Sequence, residues 1–208
     1  MKASPLVFGA LLLIGCDRGE ATKSATPTEA AQKAGEAKTS TDPAVNPNAA
    51  VMADFKSRVE KYADLHKDLA KGSAKQKDDA SAEQINAQRD ALAAKIQAAR
   101  AGAGHGEIFT PEIRQAFRRL LAPEMKGGDA PDTKKVLKDD APEPGSVPFK
   151  VNAKYPEDQP RPTMPANLLL NLPTLPEPLE YRVVGQHLLL VDTAADIIVD
   201  YALNVVIT

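Results

Sequence analysis

The residues best suited to metal chemistry are three histidines and a row of aspartates near the carboxyl end. The histidines are far apart, without the close spacing that metal ligands usually show: His66, His105 and His187. Three aspartates follow the last of them at short intervals, namely Asp192, Asp196 and Asp200. A turn that brought two of these carboxylates to His187 would create a weak divalent-cation site. We expect His66, which is flanked by Asp64 and Asp68 on a predicted helix, to be a surface residue.

Nucleophilic and acid–base catalysis find little support in the sequence. The one cysteine is Cys16, and no serine stands in a glycine-rich elbow. The paired carboxylates Asp78 with Asp79 and Asp139 with Asp140 lie in polar segments that we predict to be loops. The sequence contains no P-loop, GxGxxG, HExxH or CxxC motif. We therefore predict that the protein is not an enzyme and has no catalytic, cofactor-binding or metal-binding residues.

The overall charge argues against nucleic acid as a partner. The chain has 26 basic and 28 acidic residues, so no strong positive field surrounds it. The exception is local, because Arg114, Arg118 and Arg119 fall on one side of a predicted helix. These arginines form either a solvated helix face or a small basic patch for an anionic lipid or a partner.

The only long apolar run stands at the amino end. It extends from Leu6 to Ile14, and nine residues are too few to span a bilayer, which takes about 20. Lys2 precedes the run and the small residue Gly15 follows it. This is the three-part layout of a secretory signal peptide. We therefore predict that residues 1–15 are a signal peptide and that the protein is exported.

The residues at the end of this run carry a resemblance. Leu13, Ile14, Gly15 and Cys16 resemble, position by position, the lipobox of bacterial lipoproteins. The resemblance implies cleavage before Cys16 and attachment of a diacylglyceryl group with palmitate-type chains to its thiol. Two or more acyl chains anchor a protein stably to a membrane. The other interpretation is an ordinary signal peptide in which Cys16 is incidental.

We expect the lipidated protein to stay in the cell envelope on the periplasmic side. Asp17 resembles the inner-membrane retention signal of enteric bacteria. This sorting rule varies among bacteria, so the choice between inner and outer membrane stays open.

Residues 16–48 are predicted to be a lipidated cysteine followed by a disordered tether. Val45 is the only large apolar residue after Cys16 in this segment. Such a composition cannot bury enough apolar surface to offset the entropy of ordering. A coil of this length has a root-mean-square span of roughly 30 Å, which lets the domain stand away from its membrane.

Residues 49–208 are predicted to form one α+β domain, whose first part, residues 49–128, is helical. The first helix covers 49–70 and has an apolar stripe that includes Phe55 and Tyr62. The second begins at Ser81 with capping-box spacing to Gln84 and ends near residue 100. The third begins at Thr110, with proline next, and ends at the glycines 127 and 128.

Residues 141–178 are predicted to be an extended, proline-rich strap. Ten of these 38 residues are proline, which fixes φ and has no N–H to donate, so neither a helix nor a central strand is expected. The apolar segment Leu168 to Leu172 is expected to lie along the helices. The alternative is a polyproline II segment that docks a partner.

Residues 179–208 are predicted to form an antiparallel β-meander of three strands. Gly185 and Gln186 provide a two-residue turn that sets Val184 opposite His187 and Val183 opposite Leu188. Asp192 opens a second turn, in which it accepts from the backbone two residues on. One face of the meander is apolar and is expected to pack on the helices; it consists of Tyr181, Val183, Leu188 and Leu190.

The carboxyl-terminal pattern carries a second resemblance. The proline-rich approach, Tyr181, Arg182, Gly185 and a third strand that ends at Asp200 resemble the carboxyl-terminal part of an uncharacterised family of exported bacterial proteins. The pattern is also faintly similar to small periplasmic domains found in nickel and cobalt homeostasis.

Two functions of different classes follow from these observations. The first is a membrane-anchored envelope lipoprotein that binds another envelope protein or has a structural role. The second is a periplasmic accessory protein that binds a ligand or a metal, which depends on His187 and the faint resemblance.

Overall fold

The computed structural model describes residues 47–71 and 81–206, which fold into five helices and one three-stranded sheet. The helices are α1 (Pro47–Ala70), α2 (Ala82–Ala99), α3 (Pro111–Leu121), α4 (Ala130–Asp139) and α5 (Ala166–Leu170). The strands are β1 (Leu179–Val184), β2 (His187–Asp192) and β3 (Ile197–Ala202). The predicted α+β class is therefore confirmed. The signal peptide, Cys16 and nearly all of the tether lie outside the described residues. The tether prediction was wrong for residues 47 and 48, which form the start of α1, where proline is well tolerated.

The starts of α2 and α3 follow the capping signals in the sequence. The Ser81 hydroxyl accepts from the backbone N–H of Gln84 at 3.4 Å, and the Gln84 side chain accepts from the Ser81 N–H at 3.0 Å. Thr110 caps α3 by accepting from the Ile113 N–H at 3.3 Å, and Pro111 occupies the first turn. In both helices, the cap side chain therefore accepts a hydrogen bond from a first-turn N–H group that has no partner within the helix.

The helical part differs from the prediction at two points. Helix α3 ends at Leu121 and not at the glycines 127 and 128, because Pro123 has no N–H to continue the helical hydrogen bonds. Helix α4 was not predicted at all. Its ten residues are mostly polar, and only Ala130, Thr133 and Leu137 are buried, so its apolar periodicity is too short to detect.

The sheet has the predicted order and register. The strands pair in the order β1, β2, β3, both pairs antiparallel, with Val184 opposite His187 and Val183 opposite Leu188. Gly185 has a φ of 61°, which a glycine-first hairpin turn needs. A bulge interrupts the second pair, since Leu190 faces Asp200 while the next residue of β2 faces Ile198.

Both faces of the sheet are buried. The face that was predicted to pack on the helices does so: Tyr181, Val183, Leu188 and Leu190 belong to the same core as buried side chains of α1, α2 and α3. An aromatic cluster lies in this core, with the Phe55 and Phe117 rings 4.8 Å apart in an edge-on arrangement and Phe109 5.4 Å from Phe117. This cluster joins α1, α3 and the loop between α2 and α3.

The strap covers the other face of the sheet. A second, smaller core contains Leu189, Val191 and Ile198 of the sheet together with Val147 and Tyr155 of the strap. The strap also pairs with the outer edge of β3: the Asn152 N–H donates to the Ile198 carbonyl at 2.8 Å, and the Ile198 N–H donates to the residue 153 carbonyl at 2.8 Å. The sequence did not predict this use of the strap.

The later part of the strap is not fully extended, which corrects the prediction. Residues Ala166–Leu170 form the single-turn helix α5, because Pro165 precedes them and proline is well tolerated at a helix start. Leu168 and Leu172 are buried in the helix-side core, as expected. Leu169 and Leu170 instead point to solvent, with 48% and 85% of their surface exposed.

Candidate functional site

Asp192 is a buried carboxylate that joins the β2–β3 turn to helix α1. Its Oδ1 accepts from the Ala194 and Ala195 N–H groups at 3.0 and 2.9 Å, as the predicted turn requires. Its Oδ2 accepts from the Tyr62 hydroxyl at 2.7 Å and lies 2.6 Å from His66 Nδ1. Burial, and then the charge of Asp192, raise the pKa of the Tyr62 phenol, which therefore keeps its proton and donates.

His66 is consequently not the surface residue that was predicted. Its side chain is 12% exposed and faces Asp192. His66 follows Tyr62 by one helical turn, so both side chains point to the same turn of the meander. The apolar stripe of the helix gave no sign of this, because the partner is 126 residues away in sequence.

Asp196 holds the strap through an ion pair with an arginine. Its carboxylate makes two hydrogen bonds with Arg161, Nη1 to Oδ1 at 2.7 Å and Nη2 to Oδ2 at 2.8 Å. The side chain of Asp196 is 3% exposed, so this is a nearly buried two-point ion pair. The hydrogen bonds to Asp196 raise the pKa of Arg161. The Arg161 guanidinium also lies 5.8 Å from the ring centre of Tyr155.

Asp200 is saturated by backbone donors. It accepts from Gly106 and Tyr201 N–H groups on Oδ1, at 3.1 and 2.8 Å, and from Ile108 and Phe109 N–H groups on Oδ2, at 2.7 and 2.8 Å. Three of these donors belong to the loop between α2 and α3. The buried carboxylate therefore fixes that loop against β3, next to the bulge.

The other two histidines, His187 and His105, also make contacts within the protein. His187 Nδ1 accepts from the Asn204 N–H at 3.0 Å, and its ring meets Phe149 edge-on at 4.7 Å. Burial lowers the pKa of His187. The His105 ring stacks on Tyr201 at 4.2 Å. Across the residues that the structure describes, no group of three or more histidine, cysteine, aspartate or glutamate side chains is placed to hold a metal ion.

Arg100 is a fourth buried link that sequence reasoning missed. It donates to Asn152 Oδ1 at 2.8 Å, to Glu107 Oε2 at 2.9 Å and to the Val199 carbonyl at 3.1 Å. Its guanidinium lies 5.0 Å from the ring centre of Tyr62. No local signal distinguishes this arginine from those on helix surfaces, because two of its partners, Asn152 and Val199, are 52 and 99 residues away in sequence.

A groove of about 730 Å³ lies beside strand β1, and we call it the strap groove. Its walls come from residues 161–164, 169–170 and 172–175 of the strap and from residues 179–182. Its volume is within the usual range for ligand-binding pockets. The exposed Leu169 and Leu170 stand on its rim, and Met164, Leu172 and Leu175 contribute apolar lining.

Two arginines face the polar part of the strap groove. Arg161 makes two hydrogen bonds with Asp196, as described above. Arg182 has a side chain that is 11% exposed, with its guanidinium 5.9 Å from the ring centre of Tyr155. Its Nη2 donates to Glu180 Oε2 at 3.0 Å. Its Nε is buried and has no hydrogen-bond partner within the described part of the chain.

The predicted basic face of α3 is only partly a cluster. Arg119 donates to Asn48 Oδ1 at 3.2 Å, at the start of α1. Arg114 and Arg118 line a smaller recess of about 450 Å³ with Leu203 and Asn204. Glu112 lines the same recess, so its charge partly offsets the two arginines.

Comparison with known proteins gives no relative from which a function could be transferred. The chain matches no protein-family model, no curated protein and no solved structure. The strap groove, with its exposed leucines and its incompletely paired arginine, is therefore the candidate functional site on geometry alone.

Proposed function

We propose that this protein is a lipid-anchored component of the bacterial cell envelope that binds another envelope protein through the strap groove. The anchor is supported by the lipobox residues Leu13 to Cys16 and by the short apolar run before them. Within residues 47–71 and 81–206, no helix is both long enough and apolar enough to cross a bilayer. Acyl chains on Cys16 supply the attachment.

The exposed leucines of α5 are the observation that carries the binding role. A single exposed leucine needs no explanation, but Leu169 and Leu170 are adjacent, and both stand on the rim of an apolar-walled groove. Their neighbours Leu168 and Leu172 are buried, so the helix is fixed and presents its outer side chains in one orientation. Apolar side chains held in this way are suited to bury against a partner.

The strap groove is also poorly suited to catalysis. Asp192, Asp196 and Asp200 are each occupied by structural hydrogen bonds, and His187 lies at the other end of the hairpin from the residues that line the groove. The side chains that do line it are apolar or are arginine, threonine, glutamate and Tyr181, whose hydroxyl donates to the Pro173 carbonyl at 3.0 Å. A binding role uses these residues as they stand.

We expect Leu170→Asp to reduce capture of the partner by tenfold or more. A carboxylate at this position must be desolvated in the complex, and a change at a hot-spot residue of an interface costs about 2 kcal/mol or more. The measurement compares proteins that co-purify from membranes with the wild type and with the variant. Quantitative mass spectrometry gives the amount of each partner per bait.

Val136→Asp is the matched control, because Val136 is 40% exposed on α4 and does not line the groove. It should capture the partner as the wild type does. Equal capture by the wild type and Leu170→Asp would contradict the proposal, and so would an equal loss in both variants.

A further inference from the structure

Arg182 uses only part of the edge with which a guanidinium binds a carboxylate. The Nε and Nη2 groups of an arginine point the same way and match the two oxygens of one carboxylate. Here Glu180 gives one oxygen to Nη2, and the Nε remains without a partner among the described residues. A buried donor without a hydrogen-bond partner lowers the stability of the fold. The described residues therefore leave part of the hydrogen-bonding capacity of Arg182 unused.

The pair with Glu180 is easily exchanged. The side chain of Glu180 is 57% exposed, whereas that of Arg182 is 11% exposed. Because the glutamate lies mostly in water, it can leave Arg182 when another carboxylate takes over its hydrogen bond. The guanidinium itself is held against the Tyr155 ring and stays in place. Arg182 is thus a fixed cation with a replaceable anion.

The other arginine of the groove is not available in the same way. Arg161 already binds both oxygens of Asp196, and that carboxylate is nearly buried. Among the described residues that line the groove, Arg182 is the arginine whose Nε has no hydrogen-bond partner. One anion, and not two, is therefore accommodated.

The walls of the groove indicate what the anion is attached to. Apolar side chains such as Met164 and Leu172 alternate with polar ones such as Thr163 and Thr174. A purely hydrocarbon chain would leave these polar groups without partners, whereas a peptide offers both apolar side chains and backbone hydrogen-bonding groups. The prolines in the walls keep the groove rigid and reduce the entropy lost on binding.

We infer that the strap groove binds the carboxyl terminus of the partner protein, with its terminal carboxylate on Arg182 and its last apolar side chains against Leu169, Leu170 and Met164. This inference rests on the proposed function and names the chemistry that the partner presents. Capture of a terminal carboxylate is an established way to recognise peptides. Glu180 occupies the carboxylate position until the peptide replaces it.

The test uses the full-length lipidated protein, extracted from membranes in mild detergent and immobilised. The probe is a pool of synthetic peptides with randomised apolar last residues and a free carboxyl terminus. A parallel pool has the same sequences with an amidated carboxyl terminus. The protein should retain the free-acid pool at least about tenfold more than the amidated pool, which is the difference expected for a charge-assisted hydrogen bond.

Two neighbouring substitutions should change this retention in opposite directions. Arg182→Gln removes the cation and should lower retention of the free-acid pool by about tenfold or more. Glu180→Gln removes the competing carboxylate and should raise it by roughly threefold. Arg114→Gln is the control, because Arg114 lies outside the strap groove, and it should leave retention unchanged. Thermal melts of each variant show whether its fold is intact.

Several results would overturn the inference. These are no retention of either pool, equal retention of acid and amide, or an unchanged affinity in a folded Arg182→Gln protein. Oleate, added as a competitor, separates peptide from fatty acid: saturable oleate binding without peptide binding makes the occupant an acyl carboxylate and refutes the peptide. Partner capture that depends on Leu170 but not on Arg182 would refute this inference alone and leave the proposed function standing.

Discussion

Asp200→Ala is expected to lower the free energy of unfolding by about 3 to 5 kcal/mol. The reason is that Asp200 is fully buried and accepts from four backbone N–H groups, three of which belong to the loop between α2 and α3. Alanine leaves these donors without acceptors inside the protein, and each buried donor without a partner costs about 1 to 3 kcal/mol before the loop relaxes. Urea unfolding followed by far-ultraviolet circular dichroism measures the loss.

Asp139→Ala is the control for this change. Asp139 is an exposed residue at the end of α4, and its removal should change the stability by less than about 0.5 kcal/mol. If Asp200→Ala unfolded within about 1 kcal/mol of the wild type, Asp200 would not be the residue that fixes the loop. The description of the meander aspartates as structural links would then be wrong at this position.

Leu188→Ala is expected to cost about 2 to 5 kcal/mol. Leu188 is fully buried in the helix-side core, so the substitution removes buried methyl groups and leaves a cavity. His187→Ala, one residue earlier and on the opposite face, should cost about 1 kcal/mol or less, since it removes one acceptor for the Asn204 N–H. Urea melts of the two variants provide the comparison.

The contrast between these two neighbours reports on the register of β2. A shift by one residue would move every side chain of the strand to the other face and exchange the two outcomes. A large loss for His187→Ala together with a small loss for Leu188→Ala would therefore refute the observed register. Val183→Ala provides a second check, because Val183 lies opposite Leu188 and is equally buried.

The meander could be predicted from the sequence because its determinants are local. Gly185 fixes the turn, the turn fixes the pairing of Val183 with Leu188, and the alternation of apolar residues fixes the faces. The helix starts at Ser81 and Thr110 were predictable for the same reason, since each cap is formed within three residues. Turns and helix caps depend on a few neighbouring residues, so they can be predicted without knowledge of the rest of the fold.

The hydrogen bonds and ion pairs of the meander aspartates could not be predicted, because their side-chain partners are far away in the sequence. Asp192 meets Tyr62 and His66 across more than a hundred residues, and Asp196 meets Arg161 across 35. No rule of sequence spacing relates such pairs. From the sequence alone, the aspartates could therefore be interpreted equally well as surface residues or as metal ligands. The candidate site was hidden in the same way: the incomplete pairing of Arg182 exists only once the strap has folded against β1.

Lipid attachment at Cys16 is tested by the intact mass of the protein extracted from the membrane fraction. We expect a chain that begins at Cys16 and carries the added mass of a diacylglyceryl group or more. We also expect Cys16→Ser to be unprocessed or to be released from the membrane fraction. A chain that begins elsewhere with an unmodified Cys16, or a Cys16→Ser variant that is processed and still membrane-bound, would show that Cys16 is not the anchor.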